Sequence, residues 1–235
     1  MRKNPNEFSF LEHLDELRNR LIKCLIVFVV GSCVAYQFVE HILAFIIQPV
    51  GQVVFTDPAE AFLARFTFAL WTGFFLTLPF ILYQLWKFVG LALTVKERRW
   101  IFLFGPLSLL FFIVGSLFGF VVILPVGMNF LLGFASETMV PMISVSKYLS
   151  FVGMIVLAFG IIFELPLVMV FLAKIGIATP AFLSEKRKYV IVFIFIVSAL
   201  LTPPDIISQI LLALPLIILY EIGIIFIRLT HHGSE

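Results

Sequence analysis

Three glutamates stand out in the sequence because of the residues that surround them. Glu16 lies four residues before Arg20, at the start of the first apolar run. Glu97 lies among basic residues in "TVKERRW", and Glu164 is embedded in the apolar segment "FGIIFELPLV". A carboxylate accepts two parallel hydrogen bonds from one guanidinium, so two carboxylates on one surface would suit a ligand with two arginines.

Each glutamate also has a purely structural interpretation. Glu16 is spaced for an exposed ion pair with Arg20, one helical turn away. Glu97 could be the single compensating acid in a basic membrane anchor. Glu164 lies ten residues before Lys174, roughly 15 Å along a helix. An ionisable group at that depth must face the protein interior or water, or be protonated, because burying its charge in lipid is costly.

Composition places these glutamates in a membrane protein. Hydrophobic residues make up 62% of the chain and charged residues 13%, with a mean hydropathy of +1.14. That leaves too little polar surface for a water-soluble globule. The apolar runs are too long for core helices and lack the alternation of barrel strands. We therefore expect an all-α integral membrane protein, with residues 1–235 in one polytopic membrane domain.

The apolar runs predict six transmembrane helices, preceded by a cytoplasmic amphipathic helix over residues 7–20. The spans lie at about Leu21–Phe38, Phe66–Trp86, Trp100–Leu124, Tyr148–Leu172, Tyr189–Leu201 and Ile206–Ile227. This arrangement puts every Lys and Arg on one side of the membrane except Arg65 and Lys147. By the positive-inside rule, both termini are then cytoplasmic.

The fifth span is unusually short and ends in "LLTPPDIISQ". Thirteen residues of helix measure about 20 Å, less than the bilayer core, so this span must either be screened by longer neighbouring helices or thin the bilayer around it. Pro203 and Pro204 would end the helix, and Asp205 would cap the next one. We interpret Thr202–Asp205 as an outer turn.

Cofactor chemistry finds no support in the sequence. The four histidines do not form a ligand set at metal spacing, so we expect no metal and no other cofactor. There is no HExxH motif, nucleophile elbow or P-loop, which argues against an enzyme or an ATP-driven pump. A small-solute transporter that uses Glu164 as a proton relay remains an alternative. The absence of an internal repeat weakens that alternative.

Four long segments, taken in order, resemble the TatC family, the core subunit of the twin-arginine protein translocase. They are "FLEHLDELRNRL", "LPFILYQLWKFVGLALTVKERR", "FGIIFELPLVMVFLAKIGI" and "LLTPPDIISQILLALPLIILYEIGI". The resemblance implies six transmembrane helices in a concave bundle, with two short helices at the C-terminal end. It also implies a receptor for signal peptides with paired arginines, in a system that exports folded proteins.

The resemblance further implies roles for particular residues and partners. The signal-contacting positions match Glu16, Glu97 and Arg18, and the intramembrane acid matches Glu164. Expected partners are TatA-type and TatB-type single-span proteins, twin-arginine signal peptides, other TatC copies and the lipid bilayer, but no nucleic acid. Transport would use the proton motive force across the cytoplasmic (inner) membrane. The outer, periplasmic positions match Pro49, Pro203, Pro204 and Asp205.

Overall fold

The computed structural model describes residues 10–48, 50–51, 53–55, 57–91, 93–133, 135, 141–201 and 206–231. Within these residues the secondary structure is helical apart from one isolated β-bridge. A five-residue π-helical segment, Gly119–Ile123, joins two of the nine α-helices. The α-helices are α1 (Phe10–Ile47), α2 (Pro58–Val89), α3 (Val95–Arg98), α4 (Ile101–Phe118), α5 (Leu124–Leu132), α6 (Val145–Lys174), α7 (Pro180–Glu185), α8 (Arg187–Leu201) and α9 (Ile206–His231).

The helices confirm the predicted all-α membrane fold. Five of the described helical segments are long and apolar enough to cross a bilayer, and the joined α4 and α5 count as one of them. The sixth span of the fold is α8, which has 15 residues. It is therefore about 22 Å long, shorter than a typical hydrocarbon core. How much of each helix is embedded in lipid stays a prediction.

The first helix combines two predicted elements. The amphipathic segment and the first span form one continuous helix, α1, of 38 residues. Leu11, Leu14 and Leu21 are exposed on it, while Arg20 is buried. Lipid satisfies exposed leucines, whereas the charged side chain needs partners inside the protein. The helix therefore turns a polar group inward.

The core is built around α6, which packs against α2, α4 and α9. Phe159 of α6 is completely buried at its centre. Small residues let the helices approach closely, as expected where helices pack by shape in lipid. A Cβ on Gly115 would lie 2.4 Å from the Phe159 carbonyl oxygen, and one on Gly73 would lie 2.5 Å from the Ser32 Cα.

Asp57 and Pro58 define the start of α2. The Asp57 carboxylate accepts a hydrogen bond from the Ala59 N–H at 2.7 Å, and Pro58 occupies the first turn, where no N–H is needed. The loop before it pairs with the start of α6, because the Val145 N–H donates to the Val54 carbonyl at 3.0 Å. Glu60 also accepts hydrogen bonds from the Ser144 hydroxyl and the Ser146 N–H.

The last helix, α9, has 26 residues: it covers the predicted sixth span and continues past Ile227 to His231. No proline or glycine interrupts the chain between those residues, so the helix continues. Glu221 of this helix pairs with Arg187 of α8 at 2.7 Å.

We predict that Gly73→Ala destabilises the protein because α1 and α2 must separate to admit the methyl group. Overpacking of this kind costs about 1–3 kcal/mol. The melting temperature of the detergent-solubilised protein, followed by tryptophan fluorescence, should fall by several degrees. Gly127→Ala is the control, since the nearest atom to its added Cβ would be 3.8 Å away. Equal melting temperatures for both variants would show that the α1–α2 contact is not tight.

Candidate functional site

The site begins with a buried arginine on α1. Arg20 is 6% exposed. One of its terminal nitrogens donates to Gln84 Oε1 of α2 at 2.9 Å, and the other lies 2.5 Å from Glu16 Oε1. A buried guanidinium is tolerated only when acceptors match it. Arg20 therefore joins α1 to α2 and fixes Glu16, whose side chain keeps 36% of its surface exposed.

Glu97 is held by a different device, the short helix α3. The backbone N–H of Thr94 donates to Glu97 Oε2 at 2.9 Å in a capping box. Hydrogen bonds from the backbone N–H of Thr94 and then from its hydroxyl lower the pKa of Glu97. The neighbouring Arg98 donates from Nε to the Gly90 carbonyl at 3.2 Å, which ties α3 to the end of α2. Glu97 is thus an ionised, accessible carboxylate.

Both glutamates are positioned by the C-terminal end of α2. Their anchors on this stretch, Gln84 and Gly90, are six residues apart, about 9 Å along the chain axis if the helical rise is kept. Between them, Phe88 packs against the ring of His13 with ring centroids 4.5 Å apart. The structure therefore brings Glu16 and Glu97 to the same end of the bundle, as the sequence predicts.

Glu16 both pairs with Arg20 and stays accessible at the protein surface. The predicted pair with Arg20 forms, but it is not an exposed pair, because the Arg20 side chain is only 8% exposed. The pair holds the carboxylate at the protein surface without covering it. Arg18, in contrast, lies away from this network. It is exposed and 3.6 Å from Asp15.

Glu164 belongs to a second polar contact, between α6 and α4. Its Oε2 accepts a hydrogen bond from the Ser108 hydroxyl at 2.8 Å, and Ser108 is almost fully buried. Glu164 Oε1 is buried without a hydrogen-bond partner among the described residues. The side chain therefore faces the protein interior, one of the options that the sequence left open.

Four of the predicted positions lie outside the described part of the chain: Pro49, Pro203, Pro204 and Asp205. Their roles stay predictions. No group of three or more His, Cys, Asp or Glu side chains in the described ranges could hold a metal ion.

Sequence reasoning missed three polar residues that do the positioning. Gln84 and Ser108 are single polar residues inside apolar runs. A serine in a membrane helix often bonds its own backbone, so Ser108 gave no signal of a partner on another helix. The amide of Gln84, which cannot be satisfied by lipid, was the better signal. The sequence also gave no sign that Arg20 would be buried.

The fold and this site define a polytopic α-helical membrane protein with accessible carboxylates at one end of its bundle. Residues 12–215 match the family model described as "Sec-independent protein translocase protein (TatC)". The TatC proteins of Desulforapulum autotrophicum and Aquifex aeolicus are 42% and 39% identical to the chain. Those alignments cover 97% and 93% of this chain, and 87% and 94% of the relatives.

Solved structures agree with these matches. Two crystal structures of the twin-arginine translocase receptor TatC superpose with TM-scores of 0.84 and 0.83. Each is 38% identical to the chain, covering 92% or 93% of it and 99% of the solved chain. The chain therefore belongs to the TatC family.

The capping box predicts a measurable pH effect at Glu97. Its lowered pKa means that its ionised form favours the folded loop above the ordinary glutamate pKa, and that this contribution is lost as pH falls through the lowered value. Thr94→Ala removes the hydroxyl, so we expect the pKa of Glu97 to rise towards its ordinary value. Titration of the Glu97 Cδ resonance by ¹³C NMR, assigned with Glu97→Gln, measures this shift.

The control for this experiment is Thr179→Ala. Thr179 caps α7 through a hydrogen bond from the Phe182 N–H, so its loss removes a threonine cap without touching Glu97. A Glu97 titration that is the same in Thr94→Ala and Thr179→Ala would rule out the threonine hydroxyl as a cause.

Proposed function

We propose that this protein is the twin-arginine signal-peptide receptor and core component of a translocase that exports folded proteins. The observation that carries this proposal is that Glu16 and Glu97 are both supported from the C-terminal end of α2, through Arg20 and Arg98. Family membership supports it, since the matching solved structures are of the twin-arginine translocase receptor. In this role the chain is a transport component and not an enzyme, and it uses no cofactor.

Two geometric features support a dibasic ligand. Glu97 has one oxygen bonded to Thr94, which leaves the other available to a guanidinium. Glu16 is paired with Arg20 but partly exposed, so its carboxylate can accept further hydrogen bonds. We assign the contact with the paired arginines to these glutamates. Arg18 is included in the binding site because it matches the family's position, and its exposed side chain is accessible to a ligand.

The proposed membrane orientation puts the site in the cytoplasm. Basic side chains gather at the end of the bundle where α1 begins and α2 and α6 end. Lys174, for example, lies 5.4 Å from the ring of Trp100. Arg65 and Lys147 are at the other end, close to the loop that pairs with α6. The positive-inside rule then gives cytoplasmic termini in the cytoplasmic (inner) membrane, with the predicted six spans and residues 1–235 as one membrane domain.

Partners and energy source complete the proposal. We infer that TatA-type and TatB-type proteins and further TatC copies assemble with this chain, and that the proton motive force drives transport. Family membership supports this, because the relatives are named translocase proteins. The outer prolines Pro49, Pro203 and Pro204, with Asp205, are proposed to shape the periplasmic loops.

The receptor proposal predicts that a twin-arginine peptide binds the purified protein and that Glu16→Ala combined with Glu97→Ala weakens binding at least tenfold. Hydrogen bonds to charged groups contribute about 1.5–3 kcal/mol each, and 1.4 kcal/mol is a factor of ten. Fluorescence anisotropy of a labelled peptide gives the Kd. A twin-lysine peptide should also bind more weakly, because lysine keeps the charge but lacks the planar fork.

The matched control is Glu185→Ala, which removes an exposed acid of α7 that pairs with Lys186. It changes net charge without touching the site, so its Kd should equal that of the wild type. Unchanged affinity in the double variant, or the same loss in Glu185→Ala, would remove Glu16 and Glu97 from the binding site.

For Glu164 we propose an intramembrane polar role within the translocase, in place of a proton relay in a small-solute transporter. The hydrogen bond from Ser108 supports this, since it occupies one carboxylate oxygen inside the protein. We predict no proton flux when this chain alone is reconstituted in liposomes with a pH-sensitive dye, and no difference for Glu164→Gln. Flux that is abolished by Glu164→Gln would instead favour the transporter.

A further inference from the structure

A cavity of about 620 Å³ lies between α2 and α4, with Arg20 of α1 and Arg98 of α3 in its wall. We call it the α2–α4 cavity. Its volume is in the range of small-molecule sites. The wall is mostly apolar, and Phe102 within it is 84% exposed. The polar side chains that line the cavity are chiefly cationic, and the proposed receptor contacts do not use the cavity itself.

The charges and the apolar surface lie at different depths. Lys87 is in the last turn of α2, and Arg98 is bonded to Gly90 just beyond it. Pro79 and Leu109 line the cavity further inside the bundle. Eleven residues separate Pro79 from Gly90, about 16 Å of helix. The cavity is therefore charged where the helices end and apolar further in. This distribution matches an amphiphile, which has a charged head and an apolar tail.

The sign of the charge selects an anion. Arg20 is balanced by Glu16, but Lys87 and Arg98 form no ion pair with any described residue. Among the described residues, no carboxylate lines the cavity. Lys87 and Arg98 therefore give the mouth an uncompensated positive charge. A phosphate would be attracted to this charge.

We propose that the α2–α4 cavity binds one anionic phospholipid, with its phosphate on Lys87 and Arg98 and an acyl chain against Trp86 and Phe102. The bilayer around the protein supplies such a molecule at high concentration. The site lies next to Glu16 and Glu97, because Arg20 of its wall pairs with Glu16 and Arg98 of its wall follows Glu97 in α3. It would give the protein a structural lipid beside the signal-peptide site.

The test uses delipidated, detergent-solubilised full-length protein and native mass spectrometry. Phosphatidylglycerol is titrated against phosphatidylcholine with the same acyl chains. We expect one phosphatidylglycerol to bind at least tenfold more tightly than phosphatidylcholine. The double variant Lys87→Gln with Arg98→Gln should lose that preference. Arg99→Gln should keep it, because Arg99 lies over the Trp100 ring and does not line the cavity.

A second variant tests the apolar part of the cavity. Gly105 lines it, and a Cβ there would have its nearest neighbour, a Trp86 ring carbon, at 4.0 Å. Gly105→Leu should therefore fill the cavity with no change in charge and reduce lipid binding at least tenfold. Glycerol phosphate, which has the phosphate without acyl chains, should not displace the lipid.

Five outcomes would overturn the proposal. Equal affinity for the two lipids, or the same loss in Arg99→Gln as in the double variant, would indicate general lipid adhesion. Full binding in Gly105→Leu would place the lipid elsewhere. Displacement by glycerol phosphate would indicate a site for free phosphate. One-for-one displacement by a twin-arginine peptide, with weaker peptide binding in Gly105→Leu, would assign the cavity to the peptide.

Discussion

The buried guanidinium of Arg20 is the constraint on which the end of α2 depends. Burial removes this charged group from water, so its acceptors must come from the protein. Gln84 supplies one from α2 and Glu16 supplies the other from α1 itself. The same contacts therefore join two helices and hold a carboxylate at the surface. Removing the Gln84 acceptor would therefore disturb both the α1–α2 contact and the position of the Glu16 carboxylate.

The same requirement explains the other polar contacts between helices. Glu164 and Ser108 meet between α6 and α4, and Glu221 and Arg187 meet between α9 and α8. Each contact places a polar group of one helix against a specific partner of another, which fixes how the helices sit along each other. Apolar packing around α6 supplies most of the buried surface but is less selective, because lipid is as apolar as the side chains.

The membrane fold could be predicted from the sequence because it depends on patterns that extend over many residues. Twenty-residue apolar runs and sorted basic residues are long-range patterns, so they indicated the membrane fold before any contact was known. The position of Glu16 and Glu97 at the same end of the bundle followed from the predicted topology. Partners such as Gln84 and Ser108 did not follow, because a rotation of one helix would offer different neighbours. Helix α9 continues beyond the predicted sixth span because Arg228 marks the interface but does not stop a helix.

The proposed receptor role requires that one ligand contacts both Glu16 and Glu97. Photocrosslinking amino acids at Asn19 and at Arg99, both exposed and close in sequence to Glu16 and Glu97, would test this with a single twin-arginine peptide. A third probe at the exposed Phe55, in the loop before α2, is the comparison. The account predicts that the peptide is captured from Asn19 and from Arg99 but not from Phe55. Capture from Phe55, or from only one of the other two, would contradict it.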